Sequence, residues 1–108
     1  MTPLLIEITQ NDFGMTWGFT LTDGQGNAQI ITGGTLYFSC QLQSDPFVNF
    51  SNAMVIDDGP NGKCHYSVQA TDFQVPGTYN ALIKLQFGIS EVASFSGITV
   101  QVDPIIPT

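Results

Sequence analysis

The sequence predicts an all-β protein, an immunoglobulin-like Greek-key β-sandwich of about seven strands. Three observations carry this reading. Apolar and polar residues alternate with a period of two along most of the chain, and no window repeats apolar residues at i, i+3, i+4 and i+7. Clusters of Gly, Pro, Asn and Asp interrupt the alternation at intervals of roughly 8–12 residues. The 108 residues suit one domain and are too few for two ordinary ones, so a single domain is expected over 1–108, with 104–108 as a short extended tail.

The strands follow in order. Leu4, Ile6 and Ile8 alternate with Leu5, Glu7 and Thr9, and Pro3 in front of them marks an edge strand. Met15, Trp17, Phe19 and Leu21 alternate with Thr16, Gly18, Thr20 and Thr22, which places Trp17 in the core. Asp23-Gly24-Gln25-Gly26-Asn27 is a turn, since Gly supplies positive φ and Asp or Asn bonds its own backbone. Ile30 to Gly34 is a short bridging segment. Leu36, Phe38, Cys40 and Leu42 form the inward face of a third strand, which Asp45-Pro46 breaks. A weaker strand centres on Ala53-Met54-Val55-Ile56 and ends in the turn cluster Asp57 to Gly62. Cys64, Tyr66 and Val68 face inward on the next strand, and Thr71 to Gly77 crosses between sheets. Tyr79, Ala81, Ile83, Leu85 and Phe87 then alternate up to a hairpin turn at Gly88. The last strand runs about Val92 to Val102, and its parity shifts between Phe95 and Ile98, so Ser96-Gly97 is the expected β-bulge. Tyr79 follows Gly77 at the start of a late strand, the place of a tyrosine corner whose hydroxyl bonds back to the backbone.

Charge excludes several roles. Lys63 and Lys84 are the only cations in a chain of net charge −7, so phosphate backbones and anionic membranes are not expected partners. No run of apolar residues is long enough for a transmembrane helix. The N-terminus lacks the basic start and apolar stretch of a signal peptide, which points to synthesis in a cytoplasm. Charged residues make up only 10% of the chain, well below the usual quarter. A polar, weakly charged surface suits packing in an assembly.

Catalytic and metal chemistry find few footholds, and no enzyme activity, metal or cofactor is expected. Most carboxylates fall in turns, where Asp is favoured for backbone reasons, and no pair is marked out for glycoside chemistry. Asp57 to Gly62 is only superficially like a calcium loop, because it lacks alternating ligands and a closing Glu. His65 has outward parity and no nucleophilic Ser motif accompanies it. Cys40 and Cys64 share the parity of core residues. They read as buried thiols acting as small apolar groups, or as a cross-sheet disulfide with a spacing shorter than the usual immunoglobulin bridge, or, last, as a redox or metal pair. The candidate interaction surface is Tyr37, with outward parity, together with Phe47, Val48, Phe50 and the tail residues Ile105 and Ile106. Exposed aromatics also admit a second reading, stacking on a host-surface glycan.

Taken together, Phe19 to Asn27, Ile31 to Phe38, Asp57 to Tyr66 and Pro76 to Ala81 give an ordered pattern. It runs from a strand and an Asp-x-x-Gly turn to a Thr-Gly-x-x-Leu-x-Phe strand, then a Gly turn into a Tyr strand, then Gly-x-Tyr-x-Ala. This pattern resembles the N-terminal immunoglobulin-like domain of the bacteriophage baseplate upper protein family, over about residues 5 to 103. The resemblance implies a non-enzymatic virion structural protein that attaches a receptor-binding or adaptor component to the tail core by packing and oligomerisation. Proteins of that family continue into further domains and this sequence stops at Thr108. The expectation is therefore a tail or baseplate, fibre-attachment or capsid-decorating subunit, assembled in the host cytoplasm, with other virion proteins and copies of itself as partners.

Overall fold

The computed structural model describes residues 4–105. In chain order the strands are β1 (Leu4–Thr9), β2 (Thr16–Thr20), β3 (Thr35–Leu42), β4 (Asp45–Ala53), β5 (Val55–Asp58), β6 (Lys63–Ser67), β7 (Gly77–Phe87) and β8 (Ser90–Asp103). They build a five-stranded sheet, ordered β1-β8-β7-β3-β4, against a three-stranded sheet, ordered β2-β6-β5. All pairings are antiparallel except β1 with β8, which is parallel from Leu4↔Ile98 to Thr9↔Asp103. The result is the two-sheet sandwich expected from the alternation, with Pro3 and Ile106 lying outside the described residues.

The period-two pattern reaches the core as written. Leu36, Phe38, Cys40 and Leu42 from β3 meet Cys64 and Tyr66 from β6, and Tyr79, Ala81, Ile83 and Leu85 from β7 close the layer; all are buried. The one revision concerns the stretch from Asp45 to Asp58. Asp45-Pro46 ends β3 but also opens a second strand, and the chain then changes sheets, which makes eight strands instead of seven. β4 pairs with β3 in the large sheet, whereas β5 pairs with β6 in the small one. Met54 is the switch residue, its N–H donating to the Leu36 carbonyl at 2.8 Å. No break in polarity marks such a crossing, because both strands keep the same alternation.

Turn chemistry follows the sequence closely. The Asp23 carboxylate accepts from the N–H groups of Gln25 (2.8 Å) and Asn27 (3.0 Å), closing the turn below the Thr22↔Ala28 bridge. Gly59–Asn61 forms one 3₁₀ turn, ended by Gly62 at φ 70°. A side chain at Gly62 would place its Cβ 2.5 Å from the Leu21 carbonyl oxygen and 2.9 Å from that of Gln29. The turn is thus pressed against the 21–31 segment, and Leu21 N–H donates to Gly62 O at 2.8 Å. Gly88-Ile89 is the two-residue turn between Phe87 and Ser90. The bulge lies where the parity shift puts it: Ala81 faces Ile98 and Ile83 faces Phe95, so β8 carries one extra residue, and Gly97 takes φ 90°. Tyr79 is fully buried, and its hydroxyl donates to the Val75 carbonyl at 2.7 Å, as the tyrosine corner requires.

Aromatic rings join the two sheets. Phe38 stacks on Tyr66 with centroids 4.7 Å apart and planes 12° from parallel. Trp17, Phe19 and Phe50 also touch Phe38, and Phe73 bridges Trp17, Phe50 and Tyr79. Trp17 packs here as expected but stays half-buried, being on β2, an edge strand. Cys40 and Cys64 are buried free thiols on facing sheets. The Cys64 Sγ–H points at the Phe19 carbonyl, 3.8 Å away.

Two outcomes follow for stability. Phe38→Ala removes the ring that four others pack on, and should cost about 3–5 kcal/mol. Tyr79→Phe deletes one hydrogen bond and should cost about 1 kcal/mol. Urea unfolding of both variants, with unchanged slope, reads the difference. The second outcome concerns pH. Burial pushes the Cys64 thiol from 9.0 up to about 11, the charge of Asp57 adding to it, and burial likewise pushes Cys40 well above its ordinary range. A raised folded pKa means that the unfolded chain gives up its proton first. Stability is therefore intact below about pH 9 and falls, by about 1.4 kcal/mol per pH unit for each thiol, as pH rises towards 11. Urea midpoints at pH 8, 9, 10 and 11 should show this fall, and Cys64→Ala should make it shallower.

Candidate functional site

The first residues to consider are those that fix the β4 edge. β4 runs along the rim of the large sheet, with Val48, Phe50 and Asn52 turned inward and half-buried. Asn52 is a polar residue facing an aromatic core, so its amide needs partners. Its Nδ2 donates to the Tyr66 hydroxyl oxygen at 2.9 Å and to Asp72 Oδ1 at 3.1 Å. The Tyr66 hydroxyl in turn donates to Asp72 Oδ2, which also accepts the Gln69 N–H at 2.9 Å. Asp72 is only 6% exposed. Three segments, β4, β6 and the 68–76 crossover, are thereby tied together by one carboxylate. Burial, followed by the hydrogen bond to Asp72, pushes the Tyr66 phenol well above its ordinary value. Composition alone placed Asp72 among turn carboxylates, and its burial had no signal in the sequence.

The candidate surface residues fall into three groups. Phe47 is 94% exposed, because three β4 residues bulge between Asp45 (paired with Leu42) and Asn49 (paired with Gln41). Asp45 Oδ1 accepts the Phe47 N–H at 3.1 Å, and Asn49 Nδ2 donates to Pro46 O at 2.9 Å, which sets the bulge. Val48 and Phe50 are half-buried against the core. With Phe47 they border a cleft of about 140 Å³ whose other wall is Thr71, Gln74, Val75 and Tyr79. Val75, absent from the sequence-based set, is 40% exposed there. Ile105 is 53% exposed and tied to the same end of the sandwich through Gln10. That side chain donates to Gln74 O at 2.8 Å and accepts the Ile105 N–H at 3.4 Å. Tyr37 is apart from these. It is half-buried on the outer face of the large sheet, paired with Ala53 at the far end of β4 and with Lys84. Ile106 lies outside the described residues.

Elsewhere the ionisable groups serve the fold. Asp12, Asp23, Asp45 and Asp58 accept hydrogen bonds within their own turns. His65 keeps its outward parity but is half-buried, its Nδ1 2.8 Å from both Asp57 oxygens on the neighbouring β5. No group of three or more His, Cys, Asp or Glu poised for a metal occurs among the described residues. A shallow groove of about 650 Å³ lies on the outer face of the large sheet, lined by such residues as Ser39, Gln41, Asn80, Lys84 and Thr99.

Asp72→Ala should leave the Tyr66 hydroxyl and the Asn52 amide without their shared acceptor. The expected loss is about 2–4 kcal/mol, since each buried group left unpaired costs about 1–3 kcal/mol. The same variant should raise hydrogen exchange over residues 68–76, where a purely local turn effect would leave β4 unaltered.

Comparison with known proteins agrees with this architecture. The family model of the BppU N-terminal domain, that of baseplate upper proteins, matches residues 4–106. Among solved structures, the N-terminal domain of phage TP901-1 ORF48 superposes with a TM-score of 0.69, at 16% identity, over 95% of this chain and 99% of that one. At that identity the likeness concerns the fold. No curated protein matches the chain. With 4–106 matched, the chain belongs to the family of baseplate upper protein N-terminal domains, and it is a bacteriophage structural protein.

Proposed function

We propose that the chain is a non-enzymatic baseplate subunit, assembled into the virion in the host cytoplasm, that holds to other virion proteins and to copies of itself by surface packing. Family membership over 4–106 is the observation that carries this reading. The surface supports it. Phe47, Val75 and Ile105 gather exposed apolar side chains at one end of the sandwich, where a partner would gain about 25 cal/mol for each Å² of apolar area covered. Tyr79, Asp72 and the aromatic core beneath that end fix its backbone by hydrogen bonds and packing, which lowers the ordering entropy that docking must overcome.

One observation favours a second reading, a host-surface glycan module. The outer-face groove is lined by hydroxyl and amide side chains suited to sugar hydroxyls. Tyr37 is not among its lining residues, and the aromatic that is, Phe50, is half-buried against Phe38 and Tyr66, which leaves no open ring face for the stacking that makes up the larger part of most sugar contacts.

The test is incorporation into particles during infection. Wild-type protein supplied in trans should co-sediment with purified virions, and Phe47→Asp with Ile105→Asp should reduce that at least tenfold without shifting the urea midpoint. Equal incorporation of the variant would remove this end of the sandwich as the contact. Absence of the wild type from particles, together with specific binding on a glycan array, would favour the second reading.

A further inference from the structure

The sandwich has four edge strands, β1, β4, β2 and β5, and sheet edges invite pairing unless they are blocked. Three of them carry protection. β1 bears the exposed Glu7, and β5 is four residues long, acidic at Asp57 and Asp58 and irregular between Ile56 and Asp58. β2 spans five residues with Gly18 at its centre, which weakens a ladder. β4 differs from all three. It is nine residues long, and no charged residue occurs from Pro46 to Ile56. Its inner edge is bonded to β3 in regular register from Asn49 to Ala53. Among the described residues no backbone hydrogen bond reaches its outer edge.

We infer that the outer edge of β4, over Asn49 to Ala53, is a pairing edge whose occupant is the β4 strand of a second copy, joined antiparallel about a two-fold axis. Charge selects this occupant. Two molecules of net charge −7 repel over most of their surfaces, and an edge without charge is where they approach with least opposition. A second β4 brings the same uncharged residues, so antiparallel pairing sets no like charges opposite each other. An isologous contact of this kind closes as a dimer and leaves no free β4 edge to propagate. This inference rests on the reading of the chain as an assembly subunit and names one of its self-contacts.

Light scattering over a concentration series, with hydrogen exchange on the same samples, tests it. The wild type is expected to move from monomer to dimer as concentration rises, with the 49–53 amides gaining protection in step. Ser51→Asp with Ala53→Asp, both on the exposed outer face of β4, places like charges across the pair and should weaken dimerisation at least tenfold. Ile89→Asp with Ser90→Asp adds the same charge at the β7–β8 hairpin and should leave it unaltered. A wild type that stays monomeric at every concentration overturns the inference, as does a dimer indifferent to the β4 charges. Either failure leaves the virion reading standing if particles still incorporate the wild type, because incorporation is read separately.

Discussion

The stacked rings of Phe38 and Tyr66 are the contact on which the sandwich depends. One comes from β3, next to the rim of the large sheet, and the other from β6, the middle strand of the small sheet. Trp17, Phe19 and Phe50 gather around that pair in edge-on, tilted and stacked arrangements, and Phe73 packs on Trp17 and Phe50 behind them, which suits the quadrupoles of aromatic rings. Tyr66 adds a polar end to the same contact. Its hydroxyl meets Asp72 and Asn52 in a closed set of hydrogen bonds, and among the described residues no buried side-chain polar atom lacks a partner. A buried network of this kind is tolerated only when every member is satisfied.

That contact also shapes the surface. β4 is held at the rim by Phe50, which packs on Phe38 and Tyr66, and by Asn52, which reaches Asp72. The bulge before Asn49 then has no core position for Phe47 and turns it to solvent. Phe47 thereby joins Val75 and Ile105 as exposed apolar side chains at one end of the sandwich, the surface on which the proposed packing rests. The low charge content has the same sense. The carboxylates are largely taken up by turns, one buried network and one histidine, so what remains for partners is neutral and polar or apolar.

Much of the fold was legible because its signals are local. Alternation names a strand and its inward face whatever lies opposite, so the inward sets of β3, β6 and β7 were readable from residue types alone. Gly62, Asp23 and the Ser96-Gly97 bulge were readable because a turn or bulge demands particular backbone angles or a particular side-chain acceptor. The tyrosine corner was readable because its donor and acceptor are four residues apart, Tyr79 to Val75. The exposed end was legible only in part. Phe47 and Ile105 were named as apolar residues in irregular stretches, but Val75 and the Gln10 bridge were not, because nothing nearby in sequence links them.

The sequence by itself determined the strands outside Asp45–Asp58, their inward faces and the turns, since each depends on residues within a few positions of one another, and the order of those local motifs along the chain pointed to the family. Tertiary structure decided which sheet each strand joins. The Asp45–Asp58 stretch divides at Met54 because β3 and β6 offer edges in different layers, and β1 adds to the sheet parallel to β8, from Leu4↔Ile98 to Thr9↔Asp103. It also decided that Asp72 is buried and that Cys40 and Cys64 remain separate thiols. These outcomes depend on groups tens of residues apart, whose approach is set by how the two layers pack and leaves no local trace.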